Sequence, residues 1–418
     1  MFFTHGRPRA TGRDSFLAAM CMALVATNAM SAEKVLYSFQ SGSDGANPYA
    51  GLIADSAGNL YGTTSGGGQG TCEFGGCGTV FKVSPDGTES VLYSFLGGND
   101  GAMPDGGLVA DRAGNLYGTT LEGGGANNDG TIFKLAADGT ETVLYAFQGG
   151  SDGAFPRGGL IADKKGNFYG TTAAGGSTNC SDGGCGTVYE LKSNGQETVL
   201  HAFQGGSDGW SPEGNMIVGT AGNLYGTTAL GGTNNPNNCG GGDLGCGTVF
   251  KVTQSGTESI IYDFQGGSDG WTPEAGLTKD DTGNLYGTTA GGGGAAFCEF
   301  GCGTIFKVAA DGTETVLYSF QGGTDGWDPV AGVVREKTGD LYGTTIAGGG
   351  AHCSHVADGC GTVFKLAPDG TETVLFAFYN SHGRQPAAGL LMGKNGLLYG
   401  TTTSGGKHND GVVFSVKK

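Results

Sequence analysis

The chain has 418 residues, 88 of them glycine, and sets 22 basic against 39 acidic side chains, a formal net charge of −17. No basic run is present to neutralise phosphates, which excludes nucleic acid as a partner, and no apolar stretch after residue 32 approaches membrane-spanning length. So much glycine would suit a low-complexity chain, but here it falls at regular places between apolar strings, as turns require.

The first element is a processing segment. Arg7, Arg9 and Arg13 precede an apolar run from Phe16 to Ala26, and small residues at Ala29, Ser31 and Ala32 lead to Glu33. This is the pattern of a secretory signal peptide, predicted over residues 1–32. Cys21 lies in the apolar run, but Ala18-Ala-Met20 before it is a poor lipoprotein acylation site. Removing the segment takes away three arginines and Asp14, leaving 19 basic against 38 acidic residues, or −19. The remaining ten cysteines form five close pairs: Cys72/Cys77, Cys180/Cys185, Cys239/Cys246, Cys298/Cys302 and Cys353/Cys360. Even, locally paired cysteines in an exported chain read as disulfides.

After the signal, one string returns at intervals of 52 to 61 residues: Val35-Leu-Tyr-Ser-Phe39, then the strings beginning at Val91, Val143, Val199, Ile260, Val316 and Val374. Three further strings accompany it, typified by Gly51-Leu-Ile-Ala-Asp55, Asn59-Leu-Tyr-Gly-Thr-Thr64 and Gly78-Thr-Val-Phe-Lys-Val83. Each has the alternation and the β-branched or aromatic content of a strand. In Val91-Leu-Tyr-Ser-Phe95, Val91, Tyr93 and Phe95 are expected to share one face. Asp86-Gly87, Asp138-Gly139, Asn194-Gly195, Asp311-Gly312 and Asp369-Gly370 supply tight hairpins.

The repeat is therefore a four-stranded antiparallel meander, and tandem meanders of this size are propeller blades. With Gly-Leu-Ile-Ala-Asp innermost, the last blade holds three strands and ends at Val412-Val-Phe-Ser-Val416. The predicted fold of residues 33–418 is thus a seven-bladed β-propeller whose ring is closed by the N-terminal strand. Closure removes free sheet edges. A right-handed β-helix is the alternative, but it would need shorter coils and no tight Asp-Gly hairpins.

The strings Asp-x-x-Gly-Asn-Leu-Tyr-Gly-Thr-Thr, Gly-Cys-Gly-Thr-Val-Phe-Lys-Val and Asp-Gly-Thr-Glu-Thr-Val-Leu-Tyr-Ser-Phe-Gln-Gly-Gly-Ser-Asp-Gly resemble the bacterial GloVer tandem repeat, across residues 35–416. The resemblance implies an exported bacterial β-rich repeat protein, brings no catalytic residues, and often goes with a C-terminal surface anchor. This chain stops two residues after its last predicted strand. It is therefore expected to lack that anchor and to be secreted, periplasmic or extracellular, as a monomer.

Both long loops of each blade are predicted on one face, where binding is usually placed. Asp44, Asp100, Asp152, Asp208, Asp269 and Asp325 recur there and could ring the channel mouth, or each could cap its own turn. Trp210, Trp271 and Trp327 hold one position in three blades. With Asp208, Asp269 and Asp325 they are the candidate ligand-binding residues, stacking on a sugar or a protein partner, or else serving as satellite core. His352, Cys353, His355 and Cys360 share a loop, with His382 and His408 nearby in the repeat, a weak zinc pattern that the recurring cysteine pairs count against. No His-Glu-x-x-His motif or phosphate loop occurs, and no cofactor is expected. The leading expectation is a non-catalytic binding or scaffold propeller for a glycan or protein. The alternative is a channel-sited polysaccharide lyase, glycosidase or quinone-dependent dehydrogenase, for which Arg335, Glu336, His382 and Arg384 are the residues that break the pattern.

Overall fold

The computed structural model describes residues 33–72, 75–181, 183–232, 239, 244–295, 297–350, 353 and 359–418. The predicted signal peptide, residues 1–32, and His352 and His355 lie outside the described residues. The rest is seven consecutive four-stranded antiparallel sheets, with no α-helix among the described residues. Blade one runs Ile53–Ala54, Leu60–Thr64, Thr79–Val83 and Glu89–Ser94 from the axis outward. In blade seven the outermost strand is Glu33–Ser38, hydrogen-bonded to Val412–Lys417, so the chain's first strand closes the ring as the repeat phase predicts.

The recurring strings are explained by what their side chains touch. In Leu60-Tyr-Gly-Thr-Thr64, Gly62 lies under the Phe81 ring, and a Cβ there would meet Phe81 Cζ at 2.7 Å. The last Thr pairs with the first residue of the next strand, Thr64 Oγ1 to Thr79 Oγ1 at 2.8 Å. The Thr before it ties blade to blade: Thr227 Oγ1 donates to Ala275 O at 2.9 Å, and Thr401 Oγ1 to Ala50 O at 3.1 Å across the ring closure. Most of these buried hydroxyls are thus matched, although the equivalent Thr63 and Thr171 Oγ1 atoms are buried without a partner.

The apolar core is divided into seven clusters. At each joint the Phe that ends one outer string meets an aromatic ring of the next blade edge-on. Phe39 packs on Phe81 at 5.0 Å between centroids, Phe203 on Phe250 at 5.1 Å and Phe378 on Phe414 at 4.9 Å. All six of these rings are fully or almost fully buried, and edge-to-face pairs add to what their burial contributes.

One strand expectation is corrected. Phe81 pairs with Val91 but Val80 with Tyr93, so Leu92 is an extra residue in a β-bulge. The bulge turns Val91 and Tyr93 to opposite faces, leaving Val91 37% exposed while Phe95 is fully buried. The same shift recurs in the outer strand of every blade.

Candidate functional site

The loop leading from each outer strand to the next inner strand builds the long-loop face. Its Asp closes the loop on itself. Asp44 Oδ1 accepts from the Tyr37 hydroxyl at 2.6 Å and Oδ2 from the Gln40 amide at 2.7 Å. Asp100, Asp152, Asp269 and Asp325 repeat this with Tyr93, Tyr145, Tyr262 and Tyr318. Asp208 instead meets His201, Nε2 to Oδ2 at 3.2 Å. Each Asp lies beside the first Glu of the following outer strand, for example Glu89 beside Asp44 and Glu372 beside Asp325. The aspartates, Asp208, Asp269 and Asp325 included, therefore sit at the joints on the outer rim and do not ring the channel. Burial, then the neighbouring Asp, raises Glu89, Glu141, Glu197 and Glu314 to about 7 and Glu372 to about 8.

Three positions after this Asp (His382 in the last case) the chain takes a positive φ at a non-glycine residue in every blade: Asn47, Met103, Phe155, Ser211, Thr272, Asp328 and Gln385, all between 55° and 62°. Each amide is spent on the preceding blade, Met103 N to Cys77 O at 2.9 Å and Asp328 N to Cys302 O at 3.0 Å being examples. A β-branched residue such as Thr272 is strained there, and such strain gathers at ligand-binding loops. The acceptors in five of these seven contacts are the cysteines of the pairs, or lie in their loops. Cys72–Cys77, Cys180–Cys185, Cys239–Cys246, Cys298–Cys302 and Cys353–Cys360 are disulfides, with Cα atoms 5.1 to 5.5 Å apart. Cys353 and Cys360 are therefore engaged with each other and not with a metal.

The true mouth of the channel is made by the residue after the proline in this loop: Tyr49, Asp105, Arg157, Glu213 and Glu274 in blades one to five. Tyr49 of blade one feels the charges of Glu274, Asp105, Arg157 and Glu213 from four other blades, which requires all five to converge near the axis. Asp105 Oδ1 is sealed from solvent with no hydrogen-bond partner, and burial raises the carboxyl to about 6. Burial, followed by Glu213 and Asp328, raises Glu274 to about 7. Sequence reasoning missed this set. Its signal was present, because the residue after this proline changes from blade to blade while its neighbours repeat.

Beside the mouth, a groove of about 480 Å³ runs between blades five and six, lined by Trp271, Phe297, Glu299, Phe300, Trp327 and Asp328. Phe297 and Phe300 are 59% and 53% exposed. Trp271 Nε1 donates to Phe300 O at 3.1 Å, and Trp327 Nε1 is buried without a partner. Asp328, raised to about 6 by burial, lines the groove, and its charge also acts on Glu274 of the mouth. Trp210 is only 8% exposed and packs in the core with Met216 and Phe250. On the hairpin face, a second groove of about 940 Å³ between blades two and three carries Arg112, Lys134, Lys164 and Lys192.

The odd residues of blades six and seven are not brought together. Arg335 stacks over Tyr286 at 5.7 Å, and Glu336 accepts from Lys418 Nζ at 3.0 Å. His382 bonds Glu33, and Arg384 Nε donates to Ser404 Oγ at 2.9 Å. His408 lies by Asp410. The string Gly149-Gly-Ser-Asp-Gly153 has nucleophile-elbow spacing, but its Gly150–Asp152 segment is a single 3-10 turn and no α-helix follows.

The repeat is identified at the level of the whole chain. The Gloeobacter/Verrucomicrobia repeat matches residues 24–182, 165–293 and 237–418. The chain belongs to that family. No curated protein sequence matches it. Among solved structures, this Gloeobacter/Verrucomicrobia repeat protein is similar to the extracellular domain of BT4673 of B. thetaiotaomicron, called a hybrid two component system. The identity is 10% and the TM-score 0.54, over 92% of this chain and 39% of that one. It is also similar to PorZ, a surface component of the type-IX secretion system of Porphyromonas gingivalis, with 16% identity and TM-score 0.51 over 91% and 47% of the two chains. Dipeptidyl peptidase 4 of the same organism has 10% identity and TM-score 0.42 over 84% and 49%. The chain thus spans under half the length of each of these proteins, and identities this low speak for the fold alone.

Proposed function

We propose that this chain is an exported, non-catalytic binding propeller that recognises a glycan through its long-loop face. The observation that carries the reading is the aromatic groove of Trp271, Phe297, Phe300 and Trp327 opening beside an acidic mouth. Aromatic faces take the apolar faces of sugar rings, and neighbouring carboxylates take hydroxyl donors. Five disulfides and the predicted signal segment support export. No described helix is long and apolar enough to cross a membrane. A glycan array probed with the purified chain and with Phe300→Ala tests the reading. A hit that weakens at least tenfold in the variant supports it, and a hit indifferent to Phe300 refutes it.

A second reading, a channel-sited glycosidase or lyase, is favoured by one observation. Asp105 and Glu274 are raised to about 6 and about 7 in the same mouth as Arg157 and Tyr49, and carboxyls so tuned suit acid–base work near neutrality. Release of reducing ends from a polysaccharide panel, lost in Glu274→Gln, would establish it. Release that persists in that variant would count against it.

A further inference from the structure

Five rim joints hold the same trio: Tyr37, Asp44 and Glu89 in the first, then Tyr93/Asp100/Glu141, Tyr145/Asp152/Glu197, Tyr262/Asp269/Glu314 and Tyr318/Asp325/Glu372. Each phenol donates to its Asp. In the joint between blades six and seven, Phe376 and His382 lie near Glu33, so only two metal-ligating groups remain. The joint between blades three and four departs differently, with His201 standing where the others have Tyr.

The change of residue changes the chemistry. A phenol supplies a proton, whereas a neutral imidazole supplies a lone pair. His201, Asp208 and Glu258 present one ligand atom each, all within 4.8 Å of one another, and among the described residues no other three such groups gather. The imidazole is held edge-on against Phe203 at 4.8 Å, and the Gln204 amide fixes Asp208 Oδ2 at 2.6 Å. Glu258 Oε1 is shut off from solvent with no hydrogen-bond partner, as is the equivalent glutamate oxygen at the other joints, so it is the imidazole that sets this joint apart. Here an imidazole lone pair and two carboxylates converge where the other joints offer a phenol and two carboxylates.

We infer that His201, Asp208 and Glu258 bind one divalent transition-metal ion of the zinc class. One imidazole and two carboxylates form a common three-ligand set for zinc, with bonds of about 2.0–2.2 Å and a fourth position left to water. The ligand atoms lie within 4.8 Å of one another, so the three side chains would draw together on the ion to reach such bonds. The ion would pin blade three to blade four.

The molecule supplies its own controls. Tyr at this position is already compatible with the fold five times over, so His201→Tyr should fold and melt like the wild type in EDTA. Zinc titrated calorimetrically into the metal-stripped chain should bind with one equivalent more in the wild type than in His201→Tyr, and zinc should raise the melting temperature of the wild type alone. The reciprocal change Tyr145→His, beside Asp152 and Glu197, should add one equivalent. Equal stoichiometry in wild type and His201→Tyr would overturn the inference. Should His201→Tyr fail to fold, Glu258→Gln carries the same comparison, with loss of the equivalent expected and its retention contrary.

Discussion

The rim joints and the channel mouth lie in the same loops, a few residues apart, and obey opposite rules. At the rim, the Tyr–Asp–Glu trio and the edge-on Phe pair repeat almost unchanged around the ring. At the mouth, the equivalent positions read Tyr49, Asp105, Arg157, Glu213, Glu274, Val330 and Ala387. The uniform positions face another blade, and every blade poses the same packing problem. The variable positions face the axis, where no neighbouring strand constrains them. Uniformity in a repeat protein therefore marks the fold, and its local breakdown marks the surface free to specialise.

The sharpest way to break this comparison is to remove a joint ring. Phe203 is fully buried against Phe250, so Phe203→Ala should cost about 3–5 kcal/mol in chemical denaturation. Phe264→Ala, at the next joint, should cost the same, and clearly unequal losses would show that the joints are not equivalent. A smaller effect is expected from Gly62→Ala, about 1–3 kcal/mol, because the added methyl collides with Phe81.

Acidity should separate rim from mouth more finely. The rim glutamates are raised from 4.5 to about 7, and Glu372 to about 8. Folded protein therefore holds protons that unfolded chains release above 4.5, and the stability this brings is complete below that value. It is lost as pH climbs through about 7 to 8. Turn carboxylates act in reverse. The Thr88 amide and hydroxyl hold Asp86 below 3.8, so its smaller contribution disappears on acidification past that point. Denaturation midpoints should peak at about pH 4–5 and fall toward pH 8, and Glu372→Gln should flatten part of that fall. The smallest change is expected at the mouth, where Glu274→Gln should leave stability at pH 5 unaltered within about 0.5 kcal/mol.

Most of the fold was legible in the sequence because it is stated seven times. The four strings, their hairpins and the phase that leaves the last blade one strand short determine the ring and its closure. The bulge at Leu92 was hidden, since Val-Leu-Tyr-Ser-Phe alternates smoothly until Val80 and Phe81 reveal the slipped pairing. The cysteine pairing was readable from local spacing. The long-loop face was readable only in outline. Trp210, Trp271 and Trp327 look equivalent along the chain, yet Trp210 is buried with Met216, whereas Trp271 and Trp327 meet Phe297 and Phe300 from a blade-specific loop. The mouth joins side chains from five blades, and no linear spacing shows such a meeting. The rim role of the aspartates was likewise set by partners, Tyr37 and Glu89 for Asp44, that lie in different strings.

The claim that matters most is that the groove and mouth hold the ligand while the rim holds the fold. Binding of the purified chain to a glycan array, repeated with Trp271→Ala and with the rim variant Tyr93→Phe at matched folded fraction, tests it directly. Loss of the hit in Trp271→Ala and its full retention in Tyr93→Phe is the predicted result. Retention in Trp271→Ala, or loss in Tyr93→Phe, would contradict it.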